Sequence, residues 1–276
     1  MTKHSQNLTI ELESATLSLG RRELWHQLDL TVSSGEFIAV LGPNGSGKTS
    51  LLKILLGLLP LTAGKVLVNG AVPGKGSSRV GYIPQQKAFD PDLPIRGRDL
   101  VHFGLDGHLY GIGLHALNGD KLVNDVIAKV GAKDYADRPI GQLSGGEQQR
   151  LRIAQALLGD PTVLLCDEPL LSLDLASQQA ICELIDNRRQ ESGTSIVFVT
   201  HEINPILPYV DRVLYLVGPK WAIGKPDEVM NAKVLSELYA TQVEVIRVGG
   251  RIFIVGSEAS PHTIAESGAH AHEVLG

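Results

Sequence analysis

Apolar and polar residues alternate at Leu8, Ile10 and Leu12 and again at Leu28, Leu30 and Val32, with Gly20-Arg21-Arg22 interrupting the run. A period of two puts those side chains on one face, so the segment predicts an antiparallel strand pair with one buried side. Ser34-Gly35 turns the chain into Phe37-Ile38-Ala39-Val40-Leu41, a continuous apolar run that fits a strand covered on both faces. After a glycine-rich segment, Leu51-Leu52-Lys53-Ile54-Leu55-Leu56 reads as a helix, and Val66 to Gly70 and Val80 to Ile83 read as short strands. From Ala88 to about Ile140 strand runs are scarce. A stripe at Leu122, Val126, Ile127 and Val130 predicts a mainly helical insertion there, and Gly104 to Gly113 predicts a surface loop within it.

The α/β pattern then returns. Leu151, Ala154, Ala156 and Leu158 mark a helix that Gly159-Asp160-Pro161 ends, and Val163-Leu164-Leu165-Cys166 is the next strand. Asp174 is placed to cap a helix carrying Ala180, Ile181, Leu184 and Ile185, which stops near Gly193 before the strand Ser195 to Val199. A helix over Asp227 to Tyr239 and a hairpin over Val243 to Val255, turning at Gly249-Gly250, complete the ordered part, with Ser257 to Gly276 expected as a flexible tail. Strands alternating with helices predict an α/β phosphate-loop fold: a mostly parallel sheet flanked by helices, an N-terminal antiparallel β subdomain, and a helical insertion over about 88–145. The expected organisation is one domain over 1–256 and the tail over 257–276.

The segment between the first buried run and its helix is Gly42-Pro43-Asn44-Gly45-Ser46-Gly47-Lys48-Thr49, with Ser50 following. Its glycines let successive backbone N–H groups converge at a helix N-terminus, an arrangement that holds a polyphosphate. Lys48 is spaced to reach the β- and γ-phosphates and Thr49 to offer a hydroxyl to Mg²⁺. Asp167 and Glu168 end a buried strand at the edge where open α/β sheets bind ligands. Asp167 suits a Mg²⁺ ligand, and Glu168 suits polarising a water for in-line attack on the γ-phosphorus. Ser144 with Glu147 three residues on, in Leu143-Ser144-Gly145-Gly146-Glu147, forms a capping box whose helix start can take a further anion.

Phosphate loop, Leu-Ser-Gly-Gly-Glu, carboxylate strand and a downstream His201 stand in an order that resembles the ATP-binding subunit of an ATP-binding cassette (ABC) transporter, over about residues 8 to 224. Taken alone, His201 reads as a core or surface histidine and Gln85 as a loop residue. The resemblance implies more for both. Gln85 in Gly81-Tyr82-Ile83-Pro84-Gln85 becomes the residue sensing metal and water, Glu168 the base, His201 the γ-phosphate switch, and Asp174 a communicating aspartate. It also implies two cassettes packed head to tail, each ATP held between Gly42 to Thr49 of one copy and Ser144, Gly145, Gly146 and Glu147 of the other. A membrane permease and an extracytoplasmic binding protein would be the further partners. Three positions depart from the family pattern: Leu19 stands where an aromatic residue usually stacks on adenine, with Trp25 too far along to replace it; Leu171 stands where serine is common; and Glu147 ends the motif in place of glutamine.

Gly42 to Lys53, Tyr82 to Lys87, Cys166 to Leu175 and His201-Glu202-Ile203-Asn204-Pro205 are similar to cassettes of bacterial zinc and manganese importers. His262, His270 and His272 in the tail add a weak metal-binding signal. An iron chelate is the alternative cargo. A soluble cassette serving translation or DNA repair is the alternative class, although such proteins usually carry two cassettes or a long coiled coil. Of the 276 residues 43% are hydrophobic, enough for a substantial core, and the net charge of −5 offers no broad basic field for nucleic acid. The N-terminus lacks the apolar core of a signal peptide and Leu51 to Leu61 is too short to span a bilayer, so the expected place is the cytoplasm, peripheral on the inner face of the membrane. Cys166 and Cys182 are expected as reduced apolar filler.

Overall fold

The computed structural model describes residues 7–85, 89–106 and 116–256. The predicted strand pair is β1 (Leu8–Leu19) and β2 (Arg22–Ser33), antiparallel, with Leu12 opposite Leu30 and Leu17 opposite Trp25. β3 (Phe37–Leu41) is buried at every position and leads through the glycine-rich loop into α1 (Lys48–Leu55). β4 (Ala63–Val68) returns to pair antiparallel with β1, closing a three-stranded sheet in the order β2-β1-β4. β5 (Val80–Ile83), α2 (Gly97–Asp106), α3 (Ala116–Lys129) and α4 (Gly145–Leu157) follow. Then come β6 (Val163–Asp167), α5 (Leu175–Ser192), β7 (Ser195–Val199), β8 (Arg212–Val217) and β9 (Lys220–Gly224). α6 (Pro226–Val229), α7 (Ala232–Tyr239) and the antiparallel hairpin of β10 (Val243–Val248) and β11 (Arg251–Gly256) end the described chain.

The second sheet runs β5-β6-β7-β3-β8-β9, parallel throughout except for the antiparallel edge strand β9. Its continuous apolar runs are explained by burial on both sides. Ile38, Val40, Leu165, Val197 and Leu214 face Leu51, Leu52, Ile54 and Leu55 of α1 and the apolar side of β1 and β2. Their neighbours Phe37, Ala39, Leu164, Cys166 and Phe198 face the opposite core, which includes Ile181 and Ile185 of α5 and residues of α3 and α4. Each buried leucine or isoleucine of α1 contributes about 1.5–3 kcal/mol relative to exposure. That burial, more than intrinsic propensity, makes so short a helix persist. Cys166 and Cys182 are buried and free; burial pushes the Cys166 thiol well up and the Cys182 thiol to about 12, so both stay protonated.

Three expectations are corrected and one omission is filled. In α3 the buried stripe is Val123 and Ile127, continued by Val130 just past the helix end, while Leu122 points outward at 47% exposure. The segment expected as a surface loop begins inside α2, because Gly104 lies against α4 so closely that a Cβ would sit 2.8 Å from the Gln155 carbonyl; residues 107–113 lie outside the described residues. The helix expected over Asp227 to Tyr239 is two helices, since Asn231 leaves helical geometry and caps α7 by accepting the Val234 N–H at 3.0 Å. β8 and β9 carried no strand assignment in the sequence. The histidines of the tail also lie outside the described residues. Among the described residues no helix is long and apolar enough to cross a membrane, and no group of three or more His, Cys, Asp or Glu side chains is arranged to hold a metal ion.

Candidate nucleotide site

The loop after β3 is held open by close packing behind it. Gly42 has φ +142, and a Cβ there would lie 2.1 Å from the Leu216 carbonyl of β8. Gly47 has φ +98, and a Cβ would lie 2.6 Å from Nε1 of the fully buried Trp25. Glycine is therefore dictated at both places by conformation and by space. Lys48 opens α1 and is only 6% exposed; its Nζ donates to the carbonyls of Gly42 at 2.8 Å and Pro43 at 3.0 Å. Burial lowers its proton affinity, and the negative charges of Glu168 and Asp167 oppose that shift.

β6 brings the carboxylates to the same place. Thr49 Oγ1 donates to Asp167 Oδ1 at 3.2 Å and the Tyr82 hydroxyl donates to Asp167 Oδ2 at 3.4 Å. Burial raises the proton affinity of Asp167, Thr49 and Tyr82 counteract by hydrogen bonding to the anion, and the Tyr82 hydroxyl is itself pushed up to about 12. The Glu168 carboxylate stands between Gln85, whose Nε2 donates to Oε2 at 3.3 Å, and His201, whose Nε2 lies 2.5 Å from Oε1. The backbone of Glu168 is left-handed, φ +49, and its N–H donates to the Val199 carbonyl at 2.9 Å. Asn44, Gly45, Gly47, Lys48, Thr49 and Ser50 share a cleft of about 760 Å³ with Gln85, Glu168 and His201. Glycines that cradle a backbone loop at a helix start fit a polyphosphate. Thr49 and Asp167, in contact through their side-chain oxygens, and the Gln85 amide oxygen at the same cleft would offer an all-oxygen donor set, the kind that holds Mg²⁺.

Ser144, Gly145, Gly146 and Glu147 do not line that cleft. They open α4 with a complete capping box: Glu147 N donates to Ser144 Oγ at 3.3 Å, and Ser144 N donates to Glu147 Oε2 at 2.7 Å. Gly146 approaches the start of α5, where a Cβ would lie 2.8 Å from Ser177 Oγ. There Asp174 caps α5, accepting the Ser177 N–H at 2.9 Å and the Ser177 hydroxyl at 2.6 Å, bonds that lower its carboxyl proton affinity. Asp174, too, stays outside the cleft. Replacing Ser144 with alanine is expected to lower stability by about 1 kcal/mol through loss of the cap. Denaturant unfolding checks this, and an unchanged midpoint would mean that water replaces the hydroxyl without cost.

Sequence reading had passed over Tyr82, which alternates into the sheet beside β6, and Arg22, which lines the cleft and donates from Nη2 to the Gly45 carbonyl at 3.1 Å. Both belong to the site by position. Leu19 also lines it, whereas Trp25 is buried beneath the loop and is no part of the lining.

Comparison with known proteins agrees with this geometry. Residues 25–171 match the ABC transporter family model. The manganese transport system ATP-binding protein MntB of Bacillus subtilis is 32% identical over 239 residues, covering 86% of this chain and 95% of that protein. The zinc transport system ATP-binding protein TroB of Treponema pallidum is 33% identical over 262 residues, covering 95% of each. Among solved structures, the ATP-binding cassette MJ0796 in a dimeric post-hydrolysis state with ADP and Pi superposes with a TM-score of 0.65 at 26% identity, covering 78% of this chain and 98% of that one. With the loop, the carboxylate strand and the capped helix in one arrangement, and with relatives matched along most of their length, the chain belongs to the ABC transporter family of ATP-binding cassettes.

Proposed function

We propose that this chain is the ATP-hydrolysing subunit of a membrane importer for zinc or manganese, working as a pair of cassettes bound to a permease. The observation that carries the ATPase reading is the placement of Glu168 between Gln85 and His201 in the cleft that also holds Lys48 and Thr49. A carboxylate so held orients a water toward a phosphoryl group lying along the loop and accepts its proton, while His201 and Gln85 keep it from swinging away. Lys48 and the loop N–H groups hold the phosphate chain, and Thr49 with Asp167 holds the metal. Mg²⁺ bound there supplies charge neutralisation of the phosphoryl oxygens.

The pairing of cassettes is supported by the separation of Ser144 to Glu147 from the cleft. A helix start that meets no nucleotide in its own chain is free to meet that of a second copy. Closing around two nucleotides and reopening after hydrolysis would then move the permease through the segment around Gln85 and the helices α2 and α3. The cargo is supported by similarity to manganese and zinc system subunits along nearly the whole chain. Permease contact would place the chain on the inner face of the membrane, with an extracytoplasmic protein delivering the metal.

ATP hydrolysis by the chain reconstituted with its permease and binding protein, titrated with Zn²⁺, Mn²⁺ and ferric chelate at buffered free concentrations, tests this. Stimulation by zinc or manganese is expected. Stimulation by the chelate alone would move the cargo, and Mg-ATPase activity indifferent to all three would remove metal import.

A further inference from the structure

The cleft has two kinds of wall. Gln85, Glu168 and His201 stand where the terminal phosphoryl group must be for Glu168 to serve as base, so the base of the nucleotide has to lie against what remains. Apart from Leu171, whose N–H donates to the Glu168 carbonyl at 3.2 Å on the phosphoryl side, that remainder comes from the β1–β2 hairpin: Leu19, Arg22 and Leu24. Leu19 is 47% exposed and Leu24 is buried, which gives an aliphatic edge with no hydrogen-bonding side-chain atom. Arg22 is fastened to the loop through the neutral Gly45 carbonyl and forms no ion pair among the described residues. Its guanidinium is therefore a planar, positioned surface at the cleft. Such a plane stacks on the face of any heteroaromatic ring.

We propose that Arg22, with Leu19 beside it, is the platform for the nucleotide base, replacing an aromatic ring by a guanidinium plane and an aliphatic edge. This rests on the nucleotide reading of the cleft and adds its specificity. A stacking plane senses the area and polarisability of a ring and not the pattern of groups on its edge. The site thus accepts purine nucleoside triphosphates as a class, with ATP and GTP bound alike and the smaller pyrimidines bound less well.

The test is equilibrium binding of ATP, GTP, CTP and inorganic tripolyphosphate to the full chain with Mg²⁺, for the wild type and for Arg22→Met, Arg22→Lys and Leu19→Tyr. The wild type is expected to bind ATP and GTP within about threefold of each other and CTP about tenfold more weakly. Arg22→Met is expected to weaken ATP and GTP about tenfold while leaving tripolyphosphate within about twofold. Arg22→Lys keeps the charge but loses the plane and should behave like Arg22→Met, whereas adding Leu19→Tyr to Arg22→Met should restore ATP and GTP together. Equal losses for ATP and tripolyphosphate would overturn the proposal by making Arg22 a phosphate contact. Unchanged ATP binding in Arg22→Met would overturn it by leaving the base elsewhere. If the folded wild-type chain bound neither ATP nor tripolyphosphate, the nucleotide reading itself would fall, an outcome distinct from both.

Discussion

Glu168→Gln is expected to leave ATP binding within a few-fold of the wild type and to lower turnover by about 10²–10⁴-fold, the range lost with a positioned general base. The amide keeps the length of the side chain and can still hydrogen-bond to Gln85 and His201, so the geometry of the cleft survives the change. What it loses is the ability to take a proton. Two further consequences separate this from general damage. Sedimentation in Mg-ATP should show the variant held as a pair, because the nucleotide proposed to join two copies is no longer consumed. Lys48→Ala should do the reverse and lose binding, since its ammonium lies in the turn of the loop itself. Hydrolysis at the wild-type rate in Glu168→Gln would remove Glu168 from the base role.

The second large effect concerns the loop and not the chemistry. Gly42→Ala forces a Cβ to within 2.1 Å of the Leu216 carbonyl and 2.9 Å of Ser46 Oγ, at a φ of +142 that side chains rarely adopt. Backbone strain of about 1–3 kcal/mol and overpacking of about 1–3 kcal/mol add at such a site. That is a large share of the total for a domain of ordinary stability, about 5–15 kcal/mol. Relief requires moving either β8 or the loop, so nucleotide binding should fall with the unfolding midpoint. Gly20→Ala is the comparison: φ is +61 there and nothing lies within 4 Å of a Cβ, so only the backbone term, about 1 kcal/mol, is lost. Denaturant titration of both variants decides the matter, and a Gly42→Ala midpoint no lower than that of Gly20→Ala would show that the packing behind the loop yields.

Much of this was legible because the sequence signals were local. Burial on both faces wrote itself as continuous apolar runs in β3, β6 and β7, and one-sided burial as alternation in β1 and β2. The caps at Ser144 and Asp174 needed only their own turn of helix. Other features depend on partners far along the chain. β8 is a strand because it pairs with β3, with Ile38 opposite Arg212 and Leu41 opposite Tyr215, and no turn signal announces that. In α3 two apolar stripes one residue apart compete, and packing against the rest of the core selects Val123 over Leu122. Gly104 looked like a loop glycine because the reason for it, the backbone of α4, is not in its own neighbourhood. Arg22 at a hairpin turn reads as an ordinary surface arginine until the cleft beside it is seen.

The left-handed backbone at Glu168 sets chemistry against conformation at a single residue. Glycine or asparagine would adopt that φ with less strain, and a glutamate there costs the fold about 1–2 kcal/mol. On the role proposed for Glu168 as base, the need to hydrolyse a nucleotide is what keeps a long acid in place. In any descendant released from that need, mutation would run downhill in folding energy at this position while most core positions stayed under selection for packing. A cassette in decay would therefore lose its acid early and keep its shape long after, a record of lost activity written in one codon.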